Sequence, residues 1–460
     1  MTADDVRLTP EPSLDPAASP PQPGPELDKD HEIRTPRRWR NLGLMIGSSV
    51  VDNGDTQVLS TLFPTLQKAM GLQTSALGNI SALGRIAGVV GGPLFVYLAR
   101  KTNRKVVLAV TSGLWGVWVM AAAFSQNYLQ LLILMTVVAV GQAGAGPIVN
   151  ELFSDMFGDR KRGRAAGYFY GIGSLAGSVL GALIGQLARI ENGWRYGMAG
   201  IGVITFVFGI LILIFFHDPG IGATERQLAH LSADQRAEQS KITVARIAGL
   251  AKIPSFVIMM GQRLLSGHLL IGTFGVTFLV QDRGFDNATA ALVVLPFGIG
   301  YAVSAVFGGL VTDLVHRRFP SYGRVASLQL AQLGFAVVAF FGTQIDWGPI
   351  WVYLIFWILM GALQGINPGI NRPIVMSVTP PELRGAAFAI MLAIFETIGW
   401  AAFTFIGGHL ADAVGLQQTF LIILVGLMVV NAVYVSLLYR TYRRDCAVVE
   451  RELNERAARG

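Results

Sequence analysis

Apolar runs of about 20 residues recur along the chain, each closed by a short polar loop. A helix of that length crosses the hydrocarbon core of a bilayer, since each residue rises about 1.5 Å against a thickness of about 30 Å. Twelve such runs can be marked, at about 41–67, 75–98, 106–124, 128–152, 164–188, 196–216, 256–280, 288–315, 324–342, 349–376, 385–412 and 418–439. The pattern predicts an all-α membrane protein of twelve transmembrane helices. Loop charge alternates between them. RKTNRK (100–105), DRKRGR (159–164), HRRFPSYGR (316–324) and YRTYRR (439–444) are basic, whereas SQN (125–127), TQIDWG (343–348) and VGLQQ (414–418) hold no Lys or Arg. Basic loops stay in the cytoplasm, so both termini are expected there, in agreement with the even number of spans.

The runs fall into two similar sets. RGRAAGYFYGIGSLAG begins at Arg162 and RGAAFAIMLAIFETIG at Arg384, and Gly177 and Gly185 recur as Gly399 and Gly407, each 222 residues on. Upstream, Asn150-Glu151 matches Asn371-Arg372 at an offset of 221. Six helices repeated in parallel are a transporter architecture, with the substrate site near mid-bilayer between the repeats. The expected division is a disordered cytoplasmic tail over 1–40, carrying seven prolines before position 26, then two pseudo-symmetric six-helix bundles over 41–216 and 255–440. A cytoplasmic linker over 217–254 joins them, and a tail over 441–460 follows. In the linker, TERQLAHL and SADQRAEQ each place Ser or Thr three residues before Gln. With KITVARIAGLAKI they predict short helices lying at the cytoplasmic surface.

Composition sharpens this picture. Charged residues make up 14% of the 460 positions and hydrophobic ones 52%, against about 25% charged in soluble domains. The net charge of +7 resides in the loops, so it is topological and does not point to nucleic acid. The one cysteine, Cys446, excludes an intrachain disulfide and a thiolate metal cluster. No phosphate-binding G-x-x-x-x-G-K-[ST] loop is present, so ATP does not drive the protein. No Ser–His–Asp set or His/carboxylate metal cluster shares one face, which argues against an enzyme; no cofactor and no metal are expected.

Charges inside the spans carry the candidate chemistry. An ionisable group at the bilayer centre costs about 2.5–3.5 kcal/mol, so such groups face a partner or a water-filled cavity. Asp52 and Asp55 in SSVVDNGDTQVLS share one helix face. Arg85 of the second span lies at similar depth. An Asp–Arg pair would hold one acid ionised while the second takes up and releases a proton, so Asp52, Asp55 and Arg85 are the expected proton-coupling centre, with Arg85 as tuner. A permanent ion pair that only fixes packing is the competing reading. Glu396, alone in FETIG, is expected either to couple protons or bind a substrate cation, or to sit protonated in the packing. Arg263 and His268 of QRLLSGHLL, together with Asn53, Gln142, Glu396 and Trp400, are the candidate substrate contacts. Arg100, Arg104, Glu151, Asp155, Asp313 and Arg372 are the candidate gate, with Glu151 and Arg372 pairing locally with loop charges or across the halves.

Twelve spans in two halves with a long middle loop and an R-x-G-R type loop resemble the major facilitator superfamily over about residues 40–440. The loop VYLARKTNRK (96–105) is similar to that superfamily's G-x-x-x-D-R-x-x-R-K signature, with Val96 in place of the glycine and Arg100 in place of the aspartate. That aspartate, by the resemblance, helps lock the cytoplasmic side; the second copy, GLVTD (309–313), keeps Gly309 and Asp313. Within the superfamily, VVDN (50–53) resembles the N-Y-x-D-R element of the Spinster-like transporters of lysolipids and related amphiphiles, and AVGQAG (139–144) their G-V-G-E-A element. Asp52 is kept; Asn53, Gln142 and Met135 stand where that group carries charges.

The function these features imply is secondary active transport in the cell membrane by a monomer. Its partners are protons, membrane lipids and a small-molecule or lipid-like substrate, exported by proton coupling. The alternative is a symporter importing a small organic anion held by Arg85, Arg263 and Arg372, and a non-transporting sensor on the same fold is a further reading.

Overall fold

The computed structural model describes residues 37–157, 159–220, 248–380 and 383–457. All regular structure among them is helical. Among the described residues, eleven segments are long and apolar enough to span a membrane: Thr74–Ala99, Arg104–Ala122, Tyr128–Phe153, Ile172–Arg189, Gly193–Phe215, Pro254–Gln281, Asn287–Arg318, Gly323–Gln344, Ile350–Val378, Arg384–Val414 and Leu416–Val435. They are spans 2 to 12. Span 1 is made of two shorter helices, Arg38–Asp52 and Gly54–Met70, that meet at Asn53. Asn53 keeps right-handed backbone angles, and its N–H and C=O bond Ser49 O and Gln57 N at 3.1 Å each. The path therefore stays helical while the polar run DNGD weakens it.

Several boundaries differ from the sequence expectation. Span 1 begins at Arg38, inside the stretch expected as tail. DRKRGR lies in the opening turns of the helix Asp159–Gln186 rather than in a loop, so only two residues separate it from Met156, the end of the helix before it. The C-terminal stretch is helical over Leu438–Ala457 and docks on the second half, where Asp445 accepts a 2.8 Å bond from Ser255 N. The surface helices expected in the linker fall mostly on 221–247, outside the described residues.

The packing repeats. Span 2 lies along span 4, and span 8 along span 10; between the halves, span 2 meets span 11 and span 5 meets span 8. Small residues permit these approaches. A Cβ on Gly84 or Gly88 of span 2 would lie 3.0 or 3.1 Å from the Cβ of Ala139 or Ala143 on span 4, so larger residues there would separate the helices.

Span 7 is interrupted as span 1 is. It runs as Pro254–Leu264, a tight turn Gly267–Leu270, and Ile271–Gln281. Carbonyls released at such a break need new partners inside a membrane. Asn431 of span 12 donates its side-chain N–H to Gln262 O at 3.3 Å and Leu265 O at 3.1 Å, and Ser266 Oγ donates to Gln262 O at 2.9 Å. Replacing Asn431 with leucine should leave those carbonyls poorly satisfied and cost about 1–3 kcal/mol, read as a lower thermal midpoint in detergent.

The hydrogen bonds described between the halves cluster at the end opposite the basic loops. Gln281 donates to Gln67 at 2.8 Å, Asn287 to Thr61 O at 2.8 Å and Gln186 to Ala288 O at 3.4 Å. His409 meets Asn79 at 3.1 Å. That end is closed.

Candidate functional site

Asp55 is buried, with 2% of its surface exposed. The Gln142 amide nitrogen of span 4 lies 2.6 Å from both of its carboxylate oxygens and 2.6 Å from the Asp52 carbonyl. Thr56 N–H adds a 2.7 Å bond to Asp55 Oδ1. The interruption of span 1 is thus held by the same amide that holds the acid. Asp52 is half-buried, and the two carboxylates are close enough for their charges to interact. Exposed Asn53 donates to Ser49 O at 2.6 Å. With half-buried Ser49 and Ser60 and exposed Thr56 it makes a polar stripe along span 1, and only a water-filled cavity suits such a stripe at mid-depth.

The expected pairing of Arg85 with these acids is not formed. Its guanidinium lies 3.5 Å from the Trp400 ring centroid, and Glu396 is the charge it feels most. The reason is packing: span 2 presses on spans 4 and 11 far more than on span 1. Arg85 therefore reaches across to the second half.

There the centre is an ion pair, Arg263 Nη2 to Glu396 Oε2 at 2.5 Å. Glu396 closes a π-helical stretch, Ile390–Glu396, whose wider turns shift side-chain direction relative to an α-helix, as at many functional sites. Arg263 sits just before the break in span 7. Gly399 admits it, since a Cβ there would lie 3.1 Å from Arg263 O. Tyr301 of span 8 is close enough to feel Glu396, Arg372 and Arg263. Sequence reasoning missed it, because a scan for charges passes over a neutral phenol in FGIGYAVSA. His268 is buried in the tight turn with its ring edge on Phe335 at 5.7 Å.

Part of the candidate gate assembles within one half. Arg104 at the start of span 3 meets Asp155 at 2.5 Å, Glu151 at 3.5 Å and Asp218, just after span 6, at 2.6 Å. The partner at the second half's matching arginine is neutral: Arg324 bonds Ser377 Oγ at 3.0 Å. Asp313 and Arg372 are exposed, and the Arg100 side chain lies outside the described residues. No group of three or more His, Cys, Asp or Glu suited to a metal occurs among the described residues.

A helical bundle closed at one end, with charged side chains converging at mid-depth between its halves, defines a multi-pass membrane transporter rather than an enzyme. The pattern of the Major Facilitator Superfamily matches residues 45–341 and again 255–456, and the chain belongs to that superfamily. It is 25% identical to an MFS-type efflux pump of Mycolicibacterium smegmatis over 92% of this chain and 98% of that one. It is 23% identical to protein spinster homolog 1 of Xenopus laevis over 80% of this chain and 72% of that one. In fold it is similar to the crystal structure of a bacterial homolog of the human lysosomal transporter Spinster in an inward-facing, occupied conformation, with a TM-score of 0.72 at 16% identity, covering 89% and 98% of the two chains.

Proposed function

We propose that the protein is a proton-coupled exporter of amphiphilic, lipid-like or drug-like molecules. It resides in the cell membrane with its basic loops and termini in the cytoplasm, and it works by rocking of the bundles 41–216 and 255–440. The observation that carries the reading is the division of charge in the cavity. On span 1 the Asp55 carboxylate is held by the Gln142 amide with no cation paired to it among the described residues, while Arg85, Arg263, Arg372, Tyr301 and Glu396 gather towards the second half. A carboxylate held only by neutral donors can accept a proton without breaking an ion pair. Trp400 beneath Arg85 offers an apolar face beside a cation, which suits a molecule with a charged head and an apolar body. The similarity to an efflux pump supports export, and the resemblance of VVDN and AVGQAG to the Spinster-like elements implies amphiphiles.

The second reading, import of a small organic anion, draws on Arg85, Arg263 and Arg372 outnumbering Glu396 in that group. Reconstitution in proteoliposomes under an imposed pH gradient separates the two, with an amphiphile panel and a small-anion panel run side by side. Gradient-dependent flux of amphiphiles is expected. Flux of small anions alone would favour the second reading, and flux indifferent to the gradient would remove proton coupling.

A further inference from the structure

The gate residues expected from sequence all lie towards the basic-loop ends, yet the closed end is the other one, and Asp412 of span 11 stands at its centre. Span 2 starts at Thr74, and its N-cap residue, Gln73, gives no side-chain cap. The first N–H groups of a helix have no partner within it and carry partial positive charge. For span 2 the Asp412 carboxylate supplies the partner from the other half: Thr74 N donates to Oδ1 at 2.8 Å and Ser75 N to Oδ2 at 3.1 Å. The corresponding start of span 8 caps itself, with Asp286 accepting from Thr289 N at 3.1 Å. One of the two helices that cross between the halves is therefore capped in trans and the other in cis.

Glycine makes the contact close. A Cβ on Gly408, one turn before Asp412, would lie 2.9 Å from Ser75 Cα and 3.2 Å from Gly78 Cα. Backbone meets backbone here, so the carboxylate reaches the helix end only while the halves are shut. Opening this end would strip the cap and leave two N–H groups to water. Asp412 is itself exposed, so the contact can break and re-form without passing through a sealed core.

We infer that Asp412 is the latch of the outer gate, a positioning residue that favours the outward-closed state by capping span 2 across the two halves. The inference rests on the alternating-access reading above. The test uses the full chain with Cys446→Ser and nitroxide labels at Gln126→Cys and Ile350→Cys, on the outer ends of the two halves, and measures label separation by pulsed electron resonance. Asp412→Ala should move the population towards long distances by about fivefold, the usual weight of one lost cap. Asp412→Asn, which keeps one side-chain acceptor, should move it less, and it carries the test if the alanine variant does not fold. A distance distribution unchanged in both variants, with only a lowered melting temperature, would overturn the latch and leave a structural cap. Flux measured on the same samples separates the two ideas. Shifted distances without transport of either substrate panel keep the latch and sink the proposed function; normal transport with unshifted distances does the reverse.

Discussion

Glu396→Ala is expected to abolish transport and to destabilise the protein by about 3 kcal/mol. The loss arises from what is left behind. Arg263 is 6% exposed, and without Glu396 its guanidinium stays buried with no counter-charge among its described contacts. The figure sits in the lower part of the range for a broken buried pair because the Glu396 side chain is 24% exposed, so water can enter the space it vacates. Glu396→Gln should cost less, since an amide oxygen can still accept from Arg263. Removing both charges, as Glu396→Gln with Arg263→Met, should recover most of the stability because no orphaned ion remains, but not the transport. Thermal unfolding in detergent and flux in proteoliposomes give the two readouts. A double variant that transports normally would make the pair a packing feature and nothing more.

Asp55→Asn should eliminate the response to an imposed pH gradient while leaving substrate exchange intact. Asparagine nearly matches the carboxylate in shape, and its oxygen can keep one bond from the Gln142 amide, so folding should change little. What disappears is the group proposed to gain and lose a proton. Asp52→Asn should have the smaller effect, because Gln142 holds the Asp52 carbonyl rather than its carboxylate. Exchange and gradient-driven flux measured on one preparation decide the matter: a gradient response that persists in Asp55→Asn, Asp52→Asn and the double variant would take the coupling site elsewhere.

The second-half cluster was partly legible. Glu396, Arg263 and His268 stand out in sequence because charge inside an apolar run is expensive, but nothing in the run says which charges meet. Arg263 and Glu396 are 133 residues apart (396 less 263) and come together because span 7 breaks just after Arg263 and a π-helical stretch carries Glu396. Arg85 misled for the same reason. Its distance to the helix end sets a depth similar to that of Asp52 and Asp55, yet depth fixes height along the bilayer normal and leaves open which neighbour the side chain faces. Asp412 lay beyond sequence reading altogether, since a carboxylate near a helix end looks like an ordinary surface residue until the N-terminus it caps is placed against it.

Hydrophobic run lengths, loop charge and the 222-residue repeat determined by themselves that this is a twelve-span transporter in two related halves. Those features follow from the bilayer, whose thickness and lack of water leave a chain few options. The tertiary structure alone decided which acid is held by Gln142, which arginine crosses between the halves and which end of the cavity is shut. Those facts depend on helix rotation and inter-helix contact, and lipid outside the bundle imposes no pattern on the residues that face inward.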